Sequence, residues 1–263
     1  MGFTEVEKEE IQIARNLLEN PGLAARITSI VGTPIEKGIA LLPDNWNQTI
    51  VEVTQTALVK ASDIAIFTMK DIPGEESSNI WHKLSVAVCG GAGGCLGIAG
   101  LSAELPISTT IMLRSIADVA RSEGESISSV NTKMACLEVF ALGGKSKSDD
   151  GAESGYYPVR YALANSVSEA SQFILQNGLT QESAPALVKF ITKIAERFGV
   201  QVTQKAAAQT IPAIGAAGGA IINTMFIDHF QDMARGHFII RRLERKYGPE
   251  KVEEFYSSLH DNG

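Results

Sequence analysis

The chain has 263 residues, which is enough for one large domain or two small ones. Apolar residues make up 44% and charged residues 20%, so the chain can bury a full core and is not disordered as a whole. Thirty acidic against 23 basic residues give a net charge of -7, and the three cysteines lack metal-type spacing. We therefore expect no nucleic-acid partner, which would need a basic face, and no disulfide framework.

The N-terminal part of the chain predicts short helices. It lacks the basic and apolar regions of a secretory signal, so we expect a cytoplasmic protein. Thr4 and Glu7 form a capping box that predicts a helix to about Glu19. A break at residues 20–22 separates this helix from two short ones. These elements form an N-terminal helical segment, residues 1–43, which we expect to pack on the core.

The remaining residues, 44–258, predict one larger helical domain. Asp44 is placed to cap a long helix to about residue 70, and Pro106 lies near the predicted start of a helix that Gly124 closes. The Gly-, Ser- and charge-rich residues 143–155 predict a flexible loop. No pair of strands with a hairpin turn is apparent, so the predicted class is all-α, with a single multi-helix domain. Further helices are predicted at 128–142, 156–176, 181–198, 212–243 and 249–259.

Two uncharged, glycine-rich spans cover residues 84–103 and 206–227. As helices, each would be about 30 Å long, which is the thickness of a hydrocarbon core. The six glycines of the first span, and Pro212 and Asn223 in the second, argue against bilayer-spanning helices. Glycines four residues apart let two helix backbones approach closely. We predict two central glycine-rich apolar helices packed together, either buried in the bundle or lining an apolar groove that opens to lipid.

A group of basic residues follows the second span. Such a group can contact anionic lipid headgroups. It can equally be the polar face of an amphipathic helix, and the interspersed acidic residues favour that interpretation. The candidates for headgroup contact are Arg235, Arg241, Arg242, Arg245 and Lys246.

Several ionisable residues lie in otherwise apolar segments. Arg114 and Asp118, four residues apart, predict an ion-pair ladder that Arg121 extends, with substrate or headgroup contact as the alternative. The histidines lack the spacing of zinc or di-iron ligands, so we predict no metal site. Neither a phosphate-binding loop nor a hydrolase nucleophile motif is present. We therefore predict no cofactor and assign no catalytic residue.

Several sequence blocks resemble the EcsC protein family. They are Asp71-Ile72-Pro73, ELPISTTIMLRSIADVARSEGE, CLEVFALGG, GYYPVRYALA and the long block that begins IPAIGAAGGA and ends at RRLERKYG. The resemblance covers residues 45–258 and implies a bacterial, largely helical protein that works at the membrane, in a family named for a gene beside an ABC transporter. The family-like polar positions are His82, Glu104, Arg114, Asp118, Glu138, Arg160, Asn223 and His237.

Three functions follow from these features. The first is a lipid-binding or peripheral membrane-associated protein without catalysis, at the inner face of the cell membrane. The second is an enzyme of unknown reaction, with a polar site around Glu104, Arg114, Asp118 and His237. The third is a cytosolic accessory protein of a membrane transporter. We expect lipid or a membrane surface as the partner, because the apolar spans lie beside the basic group.

Overall fold

The computed structural model describes residues 2–19, 22–32, 34–62, 97–143, 155–177, 184–211 and 215–259. Within these ranges the regular structure is entirely helical, which confirms the predicted all-α single domain. A short 3-10 turn, Val139–Ala141, extends the sixth helix. The α-helices in chain order are α1 (Glu5–Glu19), α2 (Leu23–Val31), α3 (Ile35–Ile39), α4 (Trp46–Ala61), α5 (Gly97–Ser122), α6 (Val130–Glu138), α7 (Tyr156–Asn177), α8 (Ala184–Thr210), α9 (Gly215–Tyr247) and α10 (Pro249–Ser258).

Helix α9 lies at the centre of the described structure. It packs against α1, α2, α5, α8, α10 and the 3-10 turn. Its Phe230 ring contacts Phe140 of the 3-10 turn at 5.2 Å and Phe198 of α8 at 5.4 Å, measured between ring centroids. All three rings are fully buried, so this aromatic cluster joins segments that are far apart in sequence.

The capping box at the start of α1 is confirmed. The Thr4 backbone N–H donates to Glu7 Oε2 at 2.8 Å, and the Glu7 N–H donates to Thr4 Oγ1 at 3.3 Å. These reciprocal bonds satisfy donors that a helix N-terminus leaves without intrahelical partners. The apolar stripe of α1 then packs on α9, with Ile11, Ala14 and Leu18 buried.

Two predicted helix starts were wrong. Helix α5 begins at Gly97, so Pro106 lies inside it rather than near its start. The proline removes one backbone hydrogen bond, and packing of α5 against α4 and α9 holds the helix together through that point. Helix α4 begins at Trp46 after Asn45, so Asp44 is not its N-cap. The predicted continuation of α4 beyond residue 62 lies outside the described residues.

The second apolar span does not form one helix. Helix α8 continues past the predicted end at residue 198 to Thr210, and α9 begins at Gly215. Residues 206–210 therefore belong to α8, and 215–227 belong to α9. Pro212 follows the end of α8 and cannot donate a backbone hydrogen bond, which accounts for the division.

The first apolar span is described only from residue 97, where its last seven residues begin α5. Residues 84–96 and most of the predicted loop at 143–155 lie outside the described ranges, so packing of the two spans against each other stays a prediction. No helix in the described part of the chain combines the length and apolar character needed to cross a membrane.

Candidate functional site

A groove of about 550 Å³ lies along one face of α7, which we call the α7 groove. Helix α7 contributes lining residues at three- and four-residue spacing from Tyr157 to Leu175. At 1.5 Å per residue, these positions cover about 27 Å of helix. Residues of α6, the end of α9 and the start of α10 complete the lining. The shape is therefore elongated, and its volume is in the range of small-molecule sites.

One end of the groove holds a fixed ion pair. Arg160 of α7 donates to both oxygens of Glu244 in α9, at 2.6 and 3.0 Å. Its guanidinium group also lies over the rings of Tyr156 and Tyr157, at 5.2 and 5.6 Å from their centroids. The bidentate geometry and the stacking hold the Arg160 side chain in one position.

Glu138, the last residue of α6, lines the groove near this ion pair. It is only 6% exposed, yet no described residue forms a hydrogen bond with its carboxyl group. Burial raises the pKa of Glu138, and the nearby Arg160 and Arg241 guanidinium groups oppose the rise. A carboxyl group that lines a groove and has a perturbed pKa is a candidate for ligand contact.

His237 of α9 lies behind Glu138. Its Nε2 is 4.0 Å from Glu138 Oε2, and its Nδ1 is 2.9 Å from the Tyr156 hydroxyl. Complete burial, with Arg160 and Arg241 nearby, holds the pKa of His237 well below its ordinary value, so the imidazole is neutral. Burial raises the pKa of Tyr156, which keeps its hydroxyl protonated and able to donate to Nδ1. In that tautomer the ring proton is on Nε2, which has no hydrogen-bond partner and faces Glu138.

The other family-like polar residues within the described ranges do not line the groove. Glu104 accepts a hydrogen bond from Lys205 Nζ at 2.6 Å in a fully buried pair. Asp118 pairs with Arg121 on the same helix, where Arg114 is half-buried. Glu104 and Asp118 are fourteen residues apart on α5, or about 21 Å along its axis. Two of the four residues of the predicted enzyme site, Glu104 and Asp118, therefore lie apart from each other.

Asn223 is completely buried on α9, and neither polar atom of its amide has a hydrogen-bond partner. It does not line the α7 groove. His82 lies outside the described residues. Of the eight family-like positions, the structure therefore brings together Glu138, Arg160 and His237.

Four of the five headgroup-contact candidates form ion pairs within the protein, and Arg235 is exposed. Their acidic partners come from α1 and from the turn between α5 and α6. Arg241 is also the one member of the group that lines the α7 groove. The pairs are Arg241 with Glu125, Arg245 with Glu125, Arg242 with Glu123 and Glu10, and Lys246 with Glu7.

Sequence reasoning did not single out Tyr157, Ser171 or Glu244 as site residues. The available signal was the three- and four-residue spacing along α7, which places Tyr157 and Ser171 on one face. Glu244 could not be found in this way, because its partner Arg160 is 84 residues away in the chain. Within the described ranges, no group of three or more His, Cys, Asp or Glu side chains is placed to hold a metal ion.

The fold and the groove define an all-α protein with an elongated groove beside a buried carboxyl–imidazole pair. The chain belongs to the EcsC protein family, whose model matches residues 5–243. The matched region includes α1 to α3 as well as the larger helical region. No match was found among curated proteins or among solved structures.

Proposed function

We propose that this chain binds an amphiphilic molecule, a lipid, in the α7 groove, and that it works at a membrane surface as a peripheral protein. The observation that carries the proposal is the composition of this one elongated groove. Charged and aromatic groups lie at the end near Arg160. Farther along α7 the lining is aliphatic at Ala164, Val167 and Leu175, with the small or uncharged polar side chains of Ser168, Ser171 and Gln172 between them. An amphiphile has the same arrangement, with a polar group at one end and an apolar chain.

The apolar part of the groove supports the proposal. Ala164 and Val167 line its middle, and Leu175 lines its far end. Leu175 is 67% exposed and Tyr161 is 60% exposed, so two of the most exposed large apolar side chains lie beside the same groove. Single exposed apolar residues are common, but apolar residues grouped at a cleft mark a binding surface.

The two other functions predicted from the sequence have less support. The enzyme hypothesis depended on Glu104, Arg114, Asp118 and His237 sharing a site, and Glu104, Asp118 and His237 each have a different contact partner. The transporter-accessory hypothesis stays a prediction without a specific contact in its favour. A lipid-binding role requires neither a catalytic site nor a protein partner, since the groove itself supplies a surface complementary to an amphiphile.

Native mass spectrometry tests the proposal on protein incubated with a total bacterial lipid extract. We expect bound lipid in the unmodified chain and a several-fold loss in Leu175→Gln, because the substitution places an amide on the apolar end of the groove. The matched control is Leu41→Gln, since Leu41 is 61% exposed and does not line the groove. Equal lipid binding by the two variants, or no binding by the unmodified chain, would overturn the proposal.

A further inference from the structure

The charges at the polar end of the α7 groove are already compensated. Arg160 forms a bidentate pair with Glu244, and Arg241 Nε donates to Glu125 at 2.9 Å. A phosphate group would have to displace a carboxylate from one of these guanidinium groups. It would also approach the carboxyl groups of Glu138 and Glu253, which line the same groove. Both effects oppose an anionic headgroup.

A cationic headgroup is opposed by the two guanidinium groups at the same end of the groove. Arg160 and Arg241 are close enough to Glu138 to act on its charge. Arg160 also lies over the Tyr157 ring, so a ligand ammonium would meet a guanidinium group on that aromatic face. An ammonium group would therefore have to compete with Arg160 and Arg241 for Glu138, and with Arg160 for this ring, as a phosphate would have to compete with the carboxylates.

Two buried polar groups of the groove lining form no hydrogen bond with a described residue: the Ser171 hydroxyl farther along α7 and, at the polar end, the Glu138 carboxyl. Glu138 is 6% exposed. Behind it, the fully buried His237 Nε2 also lacks a hydrogen-bond partner. The Glu138 carboxyl lines the groove, so a hydrogen-bonding group on a ligand can reach its oxygens.

We propose that Glu138 binds an uncharged, hydroxyl-bearing group, of the glyceryl or glycosyl type, at the polar end of the α7 groove. This inference rests on the proposed binding of an amphiphile. A hydroxyl group both donates and accepts, so it matches Glu138 in either protonation state without adding charge to the site. Burial raises the pKa of Glu138, which is consistent with a carboxyl group that also donates.

The test compares headgroups on one acyl chain. Binding of 1-monooleoylglycerol, oleoyl-lysophosphatidic acid and free glycerol is measured by native mass spectrometry and by competition with a fluorescent fatty-acyl probe. We expect monooleoylglycerol to bind at least about tenfold more tightly than either of the other two compounds, since lysophosphatidic acid brings a charged phosphate in place of one hydroxyl and glycerol lacks the acyl chain.

Two variants examine the role of Glu138 directly. Glu138→Leu removes both hydrogen-bonding oxygens, and we expect it to bind monooleoylglycerol about tenfold more weakly. Glu138→Gln keeps donor and acceptor capacity, so its affinity should stay within about threefold of the unmodified chain. Thermal unfolding followed by circular dichroism establishes that each variant is folded, and the headgroup comparison on the unmodified chain does not depend on either.

The outcomes separate the two proposals. Equal or tighter binding of the phosphate-bearing compound would overturn the hydroxyl assignment and leave amphiphile binding in place. Glycerol binding as tightly as monooleoylglycerol would uphold the hydroxyl assignment and overturn the amphiphile. If Glu138→Leu and Glu138→Gln bind monooleoylglycerol equally well, Glu138 is not the recognition group. If neither acyl compound binds, the proposed function itself fails.

Discussion

Lys205 of α8 has no exposed surface, which is rare for a lysine. Its Nζ donates to Glu104 at 2.6 Å and lies 5.1 Å from the centroid of the Phe226 ring. Burial lowers the pKa of Lys205, and the charge of Glu104 opposes this change. The ammonium and carboxylate therefore depend on each other, because each would be an uncompensated buried charge without its partner.

We expect Lys205→Met to lower the free energy of unfolding by about 3–5 kcal/mol, because it leaves Glu104 buried and unpaired. Adding Glu104→Leu to this variant should recover most of the loss, since both charges are then absent. Urea denaturation measures both effects.

The control is Lys189→Met, which breaks an exposed ion pair with Glu169 and should change the free energy of unfolding by less than about 1 kcal/mol. Equal effects of Lys205→Met and Lys189→Met would contradict the buried-pair interpretation.

His229 makes the stability of the protein depend on pH. Burial, with Arg26 nearby, lowers its pKa from 6.5 to about 4. Between these two values the unfolded chain binds a proton that the folded chain does not, so stability falls as the pH is lowered through this range. Below about pH 4 both states bind the proton, and His229 causes no further loss.

We expect His229 to account for a loss of about 2 kcal/mol in the free energy of unfolding between pH 7 and pH 5. The variant His229→Gln has no titrating group at this position, so its loss over the same interval should be smaller by about that amount. Urea denaturation at the two pH values makes the comparison. His237 also has a lowered pKa, so some pH dependence should persist in the variant. An unchanged pH dependence would show that the pKa of His229 is not lowered in the folded chain.

At the scale of the helices, α1 and α9 approach closely at Gly236. A Cβ atom added there would lie 2.7 Å from Leu18 Cγ and 2.9 Å from the backbone oxygen of Ala14. Gly199 of α8 lies in a looser position, where the nearest atom to an added Cβ is 3.9 Å away. Both glycines are helical, so they form a matched pair that differs mainly in the available space.

We expect Gly236→Ala to lower the free energy of unfolding by about 1–3 kcal/mol, because α1 must move away from α9. Gly199→Ala should raise it by about 0.5–1 kcal/mol, because alanine favours the helix and the site has room. Thermal unfolding followed by circular dichroism measures both. Stabilisation by Gly236→Ala would show that the two helices do not pack at this distance.

The helix boundaries show what local patterns predict and where they fail. The capping box placed the start of α1 correctly because all of its bonds lie within four residues. The predicted start near Pro106 and the predicted end at residue 198 were wrong because proline and glycine only weaken a helix locally. Packing of α5 and α8 against their neighbours overrode that weakness.

At the scale of the whole molecule, the basic group of α9 joins distant segments. Its ion pairs hold α1 and the turn between α5 and α6 against the C-terminal part of α9. Most of the positive charge that the sequence offered for headgroup contact is therefore compensated inside the protein. With a net charge of -7, the chain has no general attraction to an anionic surface.

We expect the unmodified chain to float equally well with neutral and anionic vesicles, at low and at high salt, because membrane association depends on the groove. The double variant Glu7→Gln/Glu10→Gln releases Lys246 from its pair, removes one of the two partners of Arg242, and should bind anionic vesicles several-fold more at low salt. The contrary result is that the unmodified chain prefers anionic vesicles at low salt and loses this preference at high salt. That result would contradict the expectation and show that the basic group contacts lipid headgroups.

The sequence by itself determined the helical class, the start of α1 and the family, because these depend on patterns within one element or on blocks of residues. It also singled out Glu138, Arg160 and His237 as polar positions. Only the tertiary structure decided that these three meet at one groove while Glu104 and Asp118 lie elsewhere. Tyr156 and His237 are 81 residues apart, and Arg160 and Glu244 are 84 apart. Such contacts are set by how whole helices pack, which local spacing does not specify.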